Sequence, residues 1–306
     1  MIIQNPAGDP LSAVLALSEL QAACSVRLQA GGVWALRFQP IELKFNVVRR
    51  GECWLRMQGL PAQLLRAGDC FVVSRTPFIL ASGADVEAVN AADVFAHDGV
   101  SATFGVGEEV ELLGGSVSLS GPGATELLDV LPTSLIIRAE ATGASSFGWL
   151  LDELEREWPS HQAGSQAMCN DLLRLIFIHA LRHHINSADA EQLSWLGGLR
   201  EPAIAGVLRA VHAAPEKPWR LTQMAEIACM SRSGFAALFK TCMGVAPVEY
   251  ATRWRMRVAA FRLRNGRDTV ATIAASLGYL SDAAFGAAFR RVHGISPGQY
   301  RRDPLL

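Results

Sequence analysis

The hydrophobic residues of the C-terminal third recur at helical spacing in two similar stretches. The first comprises Leu221, Met224, Ala225 and Ala228, and the second comprises Val270, Ile273, Ala274 and Leu277. Each stretch is followed by a short turn and by a serine, Ser231 or Ser281, a residue type that caps the start of a helix. Because two helices joined by a short turn form a helix-turn-helix, the pattern predicts two such units in one chain.

The second helix of each unit belongs to a sequence repeat with an offset of 50 residues. The matched pairs are Ser231 with Ser281, Phe235 with Phe285, Phe239 with Phe289, Gly244 with Gly294, Pro247 with Pro297 and Tyr250 with Tyr300. Between the copies, residues 248–263 predict a helix in which arginines are interspersed with apolar side chains. A rigid helix here would hold the two units about one DNA turn apart, as binding in successive major grooves requires.

The N-terminal part has a different pattern of short β-rich runs. They cover residues 34–38, 44–48, 53–57 and 70–74, and glycine-containing turns separate them. Regular short strands of this kind predict a small antiparallel barrel or sandwich.

Two longer helices and a linker are predicted between the β-rich part and the repeat. The helices run from Phe147 to Trp158 and from Ser165 to Ile185, and the linker from Asn186 to Pro202. The predicted fold class is therefore α+β, with an N-terminal antiparallel β-barrel plus helices, then an all-α C-terminal domain with two helix-turn-helix units.

The charge of the chain is divided between its two parts. Residues 1–200 carry 13 Lys and Arg against 22 Asp and Glu, a net charge of −9. Residues 201–306 carry 15 against 7, a net charge of +8. A basic helical domain is typical of nucleic-acid-binding proteins. The alternative, a tandem helical repeat that binds another protein, leaves this charge unexplained.

The second unit carries a family signature. The segments Ile273-Ala-Ala-Ser-Leu-Gly-Tyr-Leu-Ser281 and Ala284-Phe-Gly-Ala-Ala-Phe-Arg-Arg-Val-His-Gly-Ile-Ser-Pro-Gly-Gln-Tyr-Arg301 resemble the AraC/XylS family of transcription regulators. The match extends over residues 208–301. The resemblance implies a regulator, by family default an activator, that binds specific double-stranded DNA sequences and works with RNA polymerase.

The positions within the resembling helices imply which residues contact DNA. They are Arg232, Ser233, Ala236, Ala237 and Lys240 in the first unit, and Asp282, Ala283, Ala284, Gly286, Ala287, Arg290 and Arg291 in the second. Arg232 is the candidate for a base contact, and the basic residues at the helix ends are candidates for phosphate contacts. Because the small residues make no bidentate bonds to bases, the composition favours contacts to thymine methyl groups and recognition of DNA shape.

The N-terminal part resembles the cupin-type effector domain of one AraC-family branch, which includes a reactive-chlorine-responsive regulator. The resembling residues are Gly51-Glu-Cys-Trp-Leu, Leu64-Leu-Arg-Ala-Gly-Asp69 and Val73. The resemblance implies an effector domain at 1–125, a helical region that forms a homodimer, with a linker, at 126–200, and a DNA-binding domain at 201–306.

The residues that would bind a cupin metal are changed in this sequence. Asn46 stands where the resembling branch often has a histidine, and Phe78 and Ile79 occupy the region of a second ligand. His179 and His183 have ligand spacing on a helix but lack an evident third partner. We therefore predict no metal, no cofactor and no enzymatic activity. The alternatives are a metal-independent cupin-fold interaction module and a metal-dependent cupin oxygenase fused to a helical domain.

The signal that the N-terminal domain senses is left open between two kinds. Trp34, Phe38, Phe45 and Trp54 are candidates for lining a pocket that binds a small ligand. Cys24 is the candidate for a redox sensor, because a sensor thiol stands before the first barrel strand in the resembling regulator.

The sequence contains no apolar run long enough for a transmembrane helix. The N-terminal segment also lacks the basic start of a signal peptide. We therefore expect a cytoplasmic location and no membrane partner.

Overall fold

A computed structural model describes residues 9–95, 101–124, 127–128, 131–139, 146–160, 162–187 and 195–302. The described residues form two compact units. One contains those of segments 20–118 and 131–184 and is rich in strands. The other contains those of segments 1–19, 119–130 and 185–306 and is mostly helical. These units do not coincide with the three segments predicted from the sequence, because residues on both sides of the β-rich segment pack with the helical unit.

The β-rich unit is built from eleven strands among the described residues. They are β1 (Glu19–Gly31), β2 (Ala35–Phe38), β3 (Leu43–Arg50), β4 (Glu52–Met57), β5 (Gln63–Arg66), β6 (Cys70–Ser74), β7 (Phe78–Ala81), β8 (Val89–Asn90), β9 (Ser101–Gly105), β10 (Val110–Ser120) and β11 (Ser134–Ile137). A short helix, α2 (Ala91–Val94), follows β8.

The strands form two sheets around one apolar core. The larger sheet has the order β11-β6-β3-β10-β1-β9, and the smaller has the order β5-β4-β7-β2-β8. Neighbours such as β3 and β6 are antiparallel, whereas the pairs β1–β9 and β2–β8 are parallel. Side chains from both sheets, among them Leu36, Val48 and Phe71, pack in one buried cluster. The interior of this unit is therefore defined by the inward face of each strand.

A buried carboxylate attaches β11 to the rest of the β-rich unit. Asp69 accepts hydrogen bonds from the backbone N–H groups of Arg66 at 3.0 Å and Ala139 at 2.9 Å. The Arg138 guanidinium donates to the same carboxylate at 2.9 Å and to the Leu64 carbonyl at 2.6 Å. Because the charge of Asp69 is compensated by these donors, it can remain buried.

Two helices complete the β-rich unit, α3 (Ser146–Glu157) and α4 (Ser165–Ser187). Arg49 forms ion pairs with Asp152 and Glu155 on α3. Since Arg49 lies on the face of β3 opposite Val48, α3 is held against the outer side of the larger sheet.

The helical unit contains α1 (Pro10–Ala16) and a run of helices that begins at Trp195. The run consists of α5 (Trp195–Gly198), α6 (Pro202–Ala213), α7 (Leu221–Ile227), α8 (Arg232–Met243), α9 (Pro247–Asn265), α10 (Val270–Ser276), α11 (Asp282–His293) and α12 (Pro297–Arg302). The N-terminal helix α1 packs against α6. None of the helices in the described part of the chain combines the length and apolar character that a membrane span requires.

Candidate nucleic-acid interface

The first helix-turn-helix consists of α7 and α8. The Ser231 hydroxyl accepts a hydrogen bond from Gly234 N–H at 3.2 Å, which starts α8 as a serine cap does. Gly244 ends the helix in the left-handed region at φ 70°. Phe235 and Phe239 are buried on the inner face, so the opposite face of α8 is left for solvent or a ligand.

The second helix-turn-helix, α10 and α11, repeats this construction. Ser281 caps α11 through Ala284 N–H at 3.2 Å, and Gly294 ends it at φ 79°. Phe285 and Phe289 are fully buried in the core of this unit. The same local signals therefore produce the same helix twice, as the repeat predicts.

The turns of the two units differ by one residue. Met230 N–H bonds to the Ala225 carbonyl at 2.9 Å, and Tyr279 N–H bonds to the Ala274 carbonyl at 3.0 Å, so these turns correspond at an offset of 49. The capping serines correspond at an offset of 50. The extra residue is Leu280, whose side chain is fully exposed directly before the cap of α11.

Both turns contain a residue with left-handed backbone conformation, but the residue type differs between them. Cys229 has φ 53° and Gly278 has φ 79°, so both occupy the left-handed region that follows a helix. A side chain other than glycine is strained in this region. A Cβ on Gly278 would in addition lie 2.3 Å from the Glu216 carbonyl oxygen, in the loop that precedes the first helix-turn-helix. Gly278 is thus required both by its φ and by a close approach.

The predicted DNA-contacting residues lie on the outer faces of α8 and α11. The residues at the starts and ends of these faces are exposed, and Ala236 and Gly286 in the middle are half-buried. The side chains of Lys240, Arg290 and Arg291 make no hydrogen bond or ion pair with any residue that the structure describes. Each outer face therefore has small residues at its centre and unpaired basic side chains at its C-terminal end.

The connecting helix α9 holds the two units together. It packs against α7, α8, α10 and α11, with Trp254 and Met256 buried in its contacts. The sequence predicts this helix and its rigidity, but its arginines have roles that the pattern does not reveal. Arg262 donates to the Ser276 hydroxyl on α10 at 2.8 Å.

A junction between the two helix-turn-helix units is formed by Glu216, Lys217, Arg255, Gly278 and Tyr279. The Arg255 guanidinium donates to the Pro215 and Lys217 carbonyls, and it lies 5.6 Å from the centre of the Tyr279 ring. The loop before the first unit therefore touches the turn of the second, with one arginine between them. This contact fixes the relative positions of the recognition helices α8 and α11.

A buried polar cluster lies where α5, α6 and α9 meet. The Trp195 indole N–H donates to the Tyr250 hydroxyl at 3.2 Å, and that hydroxyl lies 2.8 Å from His212 Nε2. His212 also stacks on Trp254 with ring centres 3.7 Å apart. Burial lowers the pKa of His212 to about 3. Trp195, which the sequence placed in the linker, is thereby docked onto the DNA-binding unit.

The β-rich unit contains a cavity of about 180 Å³. Of the four aromatic residues predicted to line a pocket, Phe38 does so. Trp34 is buried in the core between the sheets. Phe45 and Trp54 are on the strand faces that point away from the interior, because their neighbours Asn46 and Leu55 occupy the inward face.

The cysteines of the β-rich unit are in different positions. Cys24 falls within β1, and its side chain lies outside the described residues. Burial, together with Asp69 and Glu52, raises the pKa of Cys53 to about 12. Burial and Asp69 also raise the pKa of Cys70. These two thiols are therefore inert structural side chains at neutral pH.

Comparison with known proteins decides the family. A model described as a cupin matches residues 9–186, and a model described as a helix-turn-helix domain matches residues 224–303. A putative AraC-like transcription regulator of Streptomyces lividans is 38% identical over 303 residues, which cover 97% of this chain and 99% of that protein. The chain belongs to the AraC-like transcription regulators. The α+β fold predicted from the sequence, with its barrel and two helix-turn-helix units, is confirmed.

Two further similarities concern parts of the regulator. The RCS-specific HTH-type transcriptional activator RclR of Escherichia coli is 32% identical over 181 residues, which cover 58% of this chain and 63% of that protein. The predicted resemblance to this branch is thereby confirmed. The crystal structure of the DNA-binding domain of AdpA in complex with a target DNA is 30% identical, covers 33% of this chain and 90% of that chain, and has a TM-score of 0.31.

The backbone argument at the turns predicts opposite effects for two substitutions. Cys229→Gly removes the backbone strain of a non-glycine residue in the left-handed region. It should therefore raise the free energy of unfolding by about 1 kcal/mol. Gly278→Ala should lower it by about 2 kcal/mol or more, because the added Cβ is both strained and too close to a carbonyl. Urea denaturation of the two variants measures both effects.

Gly294→Ala is the matched control, because Gly294 has the same φ of 79° and nothing lies within 4 Å of its added Cβ. It should cost only the backbone strain, about 1 kcal/mol. Equal losses for Gly278→Ala and Gly294→Ala would show that the junction does not depend on the close approach.

The buried His212 predicts an acid sensitivity. A histidine with an ordinary pKa of 6.5 in the unfolded chain and about 3 in the folded chain binds its proton mainly on unfolding. Its contribution is present above pH 6.5 and is lost as the pH falls, by about 2 kcal/mol at about pH 5. Between about pH 7.5 and about pH 5, His212→Phe should therefore lose about 2 kcal/mol less unfolding free energy than the wild type. Parallel pH profiles would contradict this assignment.

Proposed function

We propose that the regulator binds double-stranded DNA through the outer faces of α8 and α11, each placed in a major groove. The observation that carries this proposal is the repeated burial pattern of the two helices, with inner phenylalanines buried and basic side chains free at the ends. The net charge of +8 on residues 201–306 supplies attraction to phosphate groups.

Arg232 is the proposed base-contacting residue, since it lies at the exposed start of α8. The remaining proposed contacts on the two faces are Ser233, Ala236, Ala237, Asp282, Ala283, Ala284, Gly286 and Ala287. Most are small, which lets the helix backbone approach the groove closely.

The phosphate contacts give a quantitative prediction. Lys240→Ala and Arg290→Ala should each weaken DNA binding and reduce the slope of log affinity against log salt by about 1, because each change removes one released counterion. Fluorescence anisotropy with the regulator's own upstream DNA, at several salt concentrations, measures the slope.

Arg66→Ala is the control for this measurement, because Arg66 is an exposed arginine of the β-rich unit paired with Glu52 at 3.6 Å. Its salt slope should equal that of the wild type. Unchanged slopes for the Lys240 and Arg290 variants would remove both from the interface, and the absence of any salt-dependent DNA affinity would overturn the proposed function.

The homodimer belongs to the same proposal, with α3 and α4 as its interface. Trp149, Met168 and Leu175 are large apolar side chains exposed on these helices. Exposed apolar side chains on neighbouring helices support an interface with a second copy. Leu175→Glu should shift the protein from dimer to monomer in sedimentation at micromolar concentration. A wild-type protein that sediments as a monomer, or a variant that stays dimeric, would contradict this interface.

The β-rich unit is proposed to supply the signal. A small ligand in its cavity, or oxidation of Cys24, would favour one state of the regulator by differential binding or modification. We propose activation through RNA polymerase as the outcome and no enzymatic activity. Because the partner is DNA, a cytoplasmic location follows from the proposal.

A further inference from the structure

The cavity of the β-rich unit has mostly apolar walls and a small number of polar groups. Its described lining consists of Val26, Leu28, Phe38, Lys44, Asn46, Phe78, Leu80, Phe95, Leu112, Gly114 and Gly115. Phe38 and Phe78 are stacked with ring centres 4.9 Å apart, and Phe95 lies 6.4 Å from Phe38. Such a surface favours an apolar ligand, with the few polar groups setting its orientation.

One polar group in this lining is buried without a partner. Asn46 is 8% exposed, and its Nδ2 has no hydrogen-bond partner among the described residues. Its Oδ1 lies beside Gly114, where an added Cβ would be 2.7 Å away. The glycine therefore leaves the room that the amide occupies. A buried amide N–H without an acceptor costs free energy, so its place in a cavity wall calls for an acceptor.

The second polar residue of the lining is Lys44, two residues earlier on the same face of β3. It forms no ion pair with any residue in the described part of the chain. Burial lowers the pKa of Lys44, and the charge of Glu42 opposes this effect. The Lys44 ammonium and the unpaired Asn46 N–H₂ are both donors, so both can donate to one anion. The positive charge also makes the cavity a poor site for a metal cation.

We propose that the cavity binds a small organic acid, whose apolar body packs against Phe38 and Phe78 and whose carboxylate accepts from Lys44 and Asn46. This inference rests on the proposed function, in which the β-rich unit controls DNA binding. An anion accepts from both donors at once and adds a negative charge beside the ammonium, whereas a neutral ligand adds no charge. In this proposal, a small organic acid is the inducer to which the regulator responds.

Isothermal titration calorimetry of the full chain tests this chemistry with octanoate and phenylacetate, each beside its uncharged alcohol. At least one acid should bind, and its alcohol should bind at least ten-fold more weakly. Lys44→Met should weaken binding of the acid at least ten-fold. Arg66→Met is the control, because Arg66 is an exposed cation of the β-rich unit that does not line the cavity, and this variant should bind the acid as the wild type does.

A second variant separates a binding role of Asn46 from a structural one. Asn46→Leu should weaken acid binding and raise the melting temperature, since it removes an unpaired amide from an apolar wall. A lower melting temperature with unchanged acid affinity would assign Asn46 to the structure. No binding of either acid at millimolar concentration, or equal binding of acids and alcohols, would overturn the inference.

DNA binding measured by anisotropy on the same samples distinguishes a failure of the acid-binding inference from a failure of the proposed DNA-binding function. Salt-sensitive DNA binding without acid binding removes the inference and leaves the proposed function. Acid binding that leaves DNA affinity and transcription of a reporter unchanged overturns the assignment of the acid as inducer. A wild-type protein without measurable DNA affinity would overturn the proposed function, whether or not it binds the acids.

Discussion

The fixed spacing between the two recognition helices is the constraint on which the DNA-binding unit depends. Two helix-turn-helix units can reach successive major grooves only when their spacing matches one turn of DNA. The junction fixes the position of α11 relative to α8. In it, Arg255 is bonded to the loop at 215–217, and Gly278 packs against the Glu216 carbonyl. Because the contact is between backbones and one guanidinium, it leaves the outer faces free.

The basic side chains of the helical unit fall into two groups with different roles. Arg255 and Arg262 on α9 are bonded to neighbouring protein groups, and they hold the helices in place. Arg290 and Lys240 have no such partner among the described residues. The net charge of this part therefore overstates the number of side chains available to DNA.

The β-rich unit contains two buried polar residues that differ in their hydrogen bonding. Asp69 is buried and bonded by several donors, and it joins β11 to the sheet. Asn46 is also buried, but its amide nitrogen has no partner in the described residues. A satisfied buried polar group stabilises a fold, whereas an unsatisfied one in a cavity is typical of a binding site.

The sequence by itself determined the two helix-turn-helix units, their caps and the connecting helix, because helical periodicity, capping serines and terminal glycines act within a few residues of one another. It also separated the inner phenylalanines from the outer faces. Three contacts were decided only by the tertiary structure. Arg255 bonds to the loop of the junction, Trp195 donates to Tyr250, and Lys44 and Asn46 line the same cavity. These contacts join residues far apart in the chain, and a polar residue in a strand does not reveal which partner the folded chain brings to it.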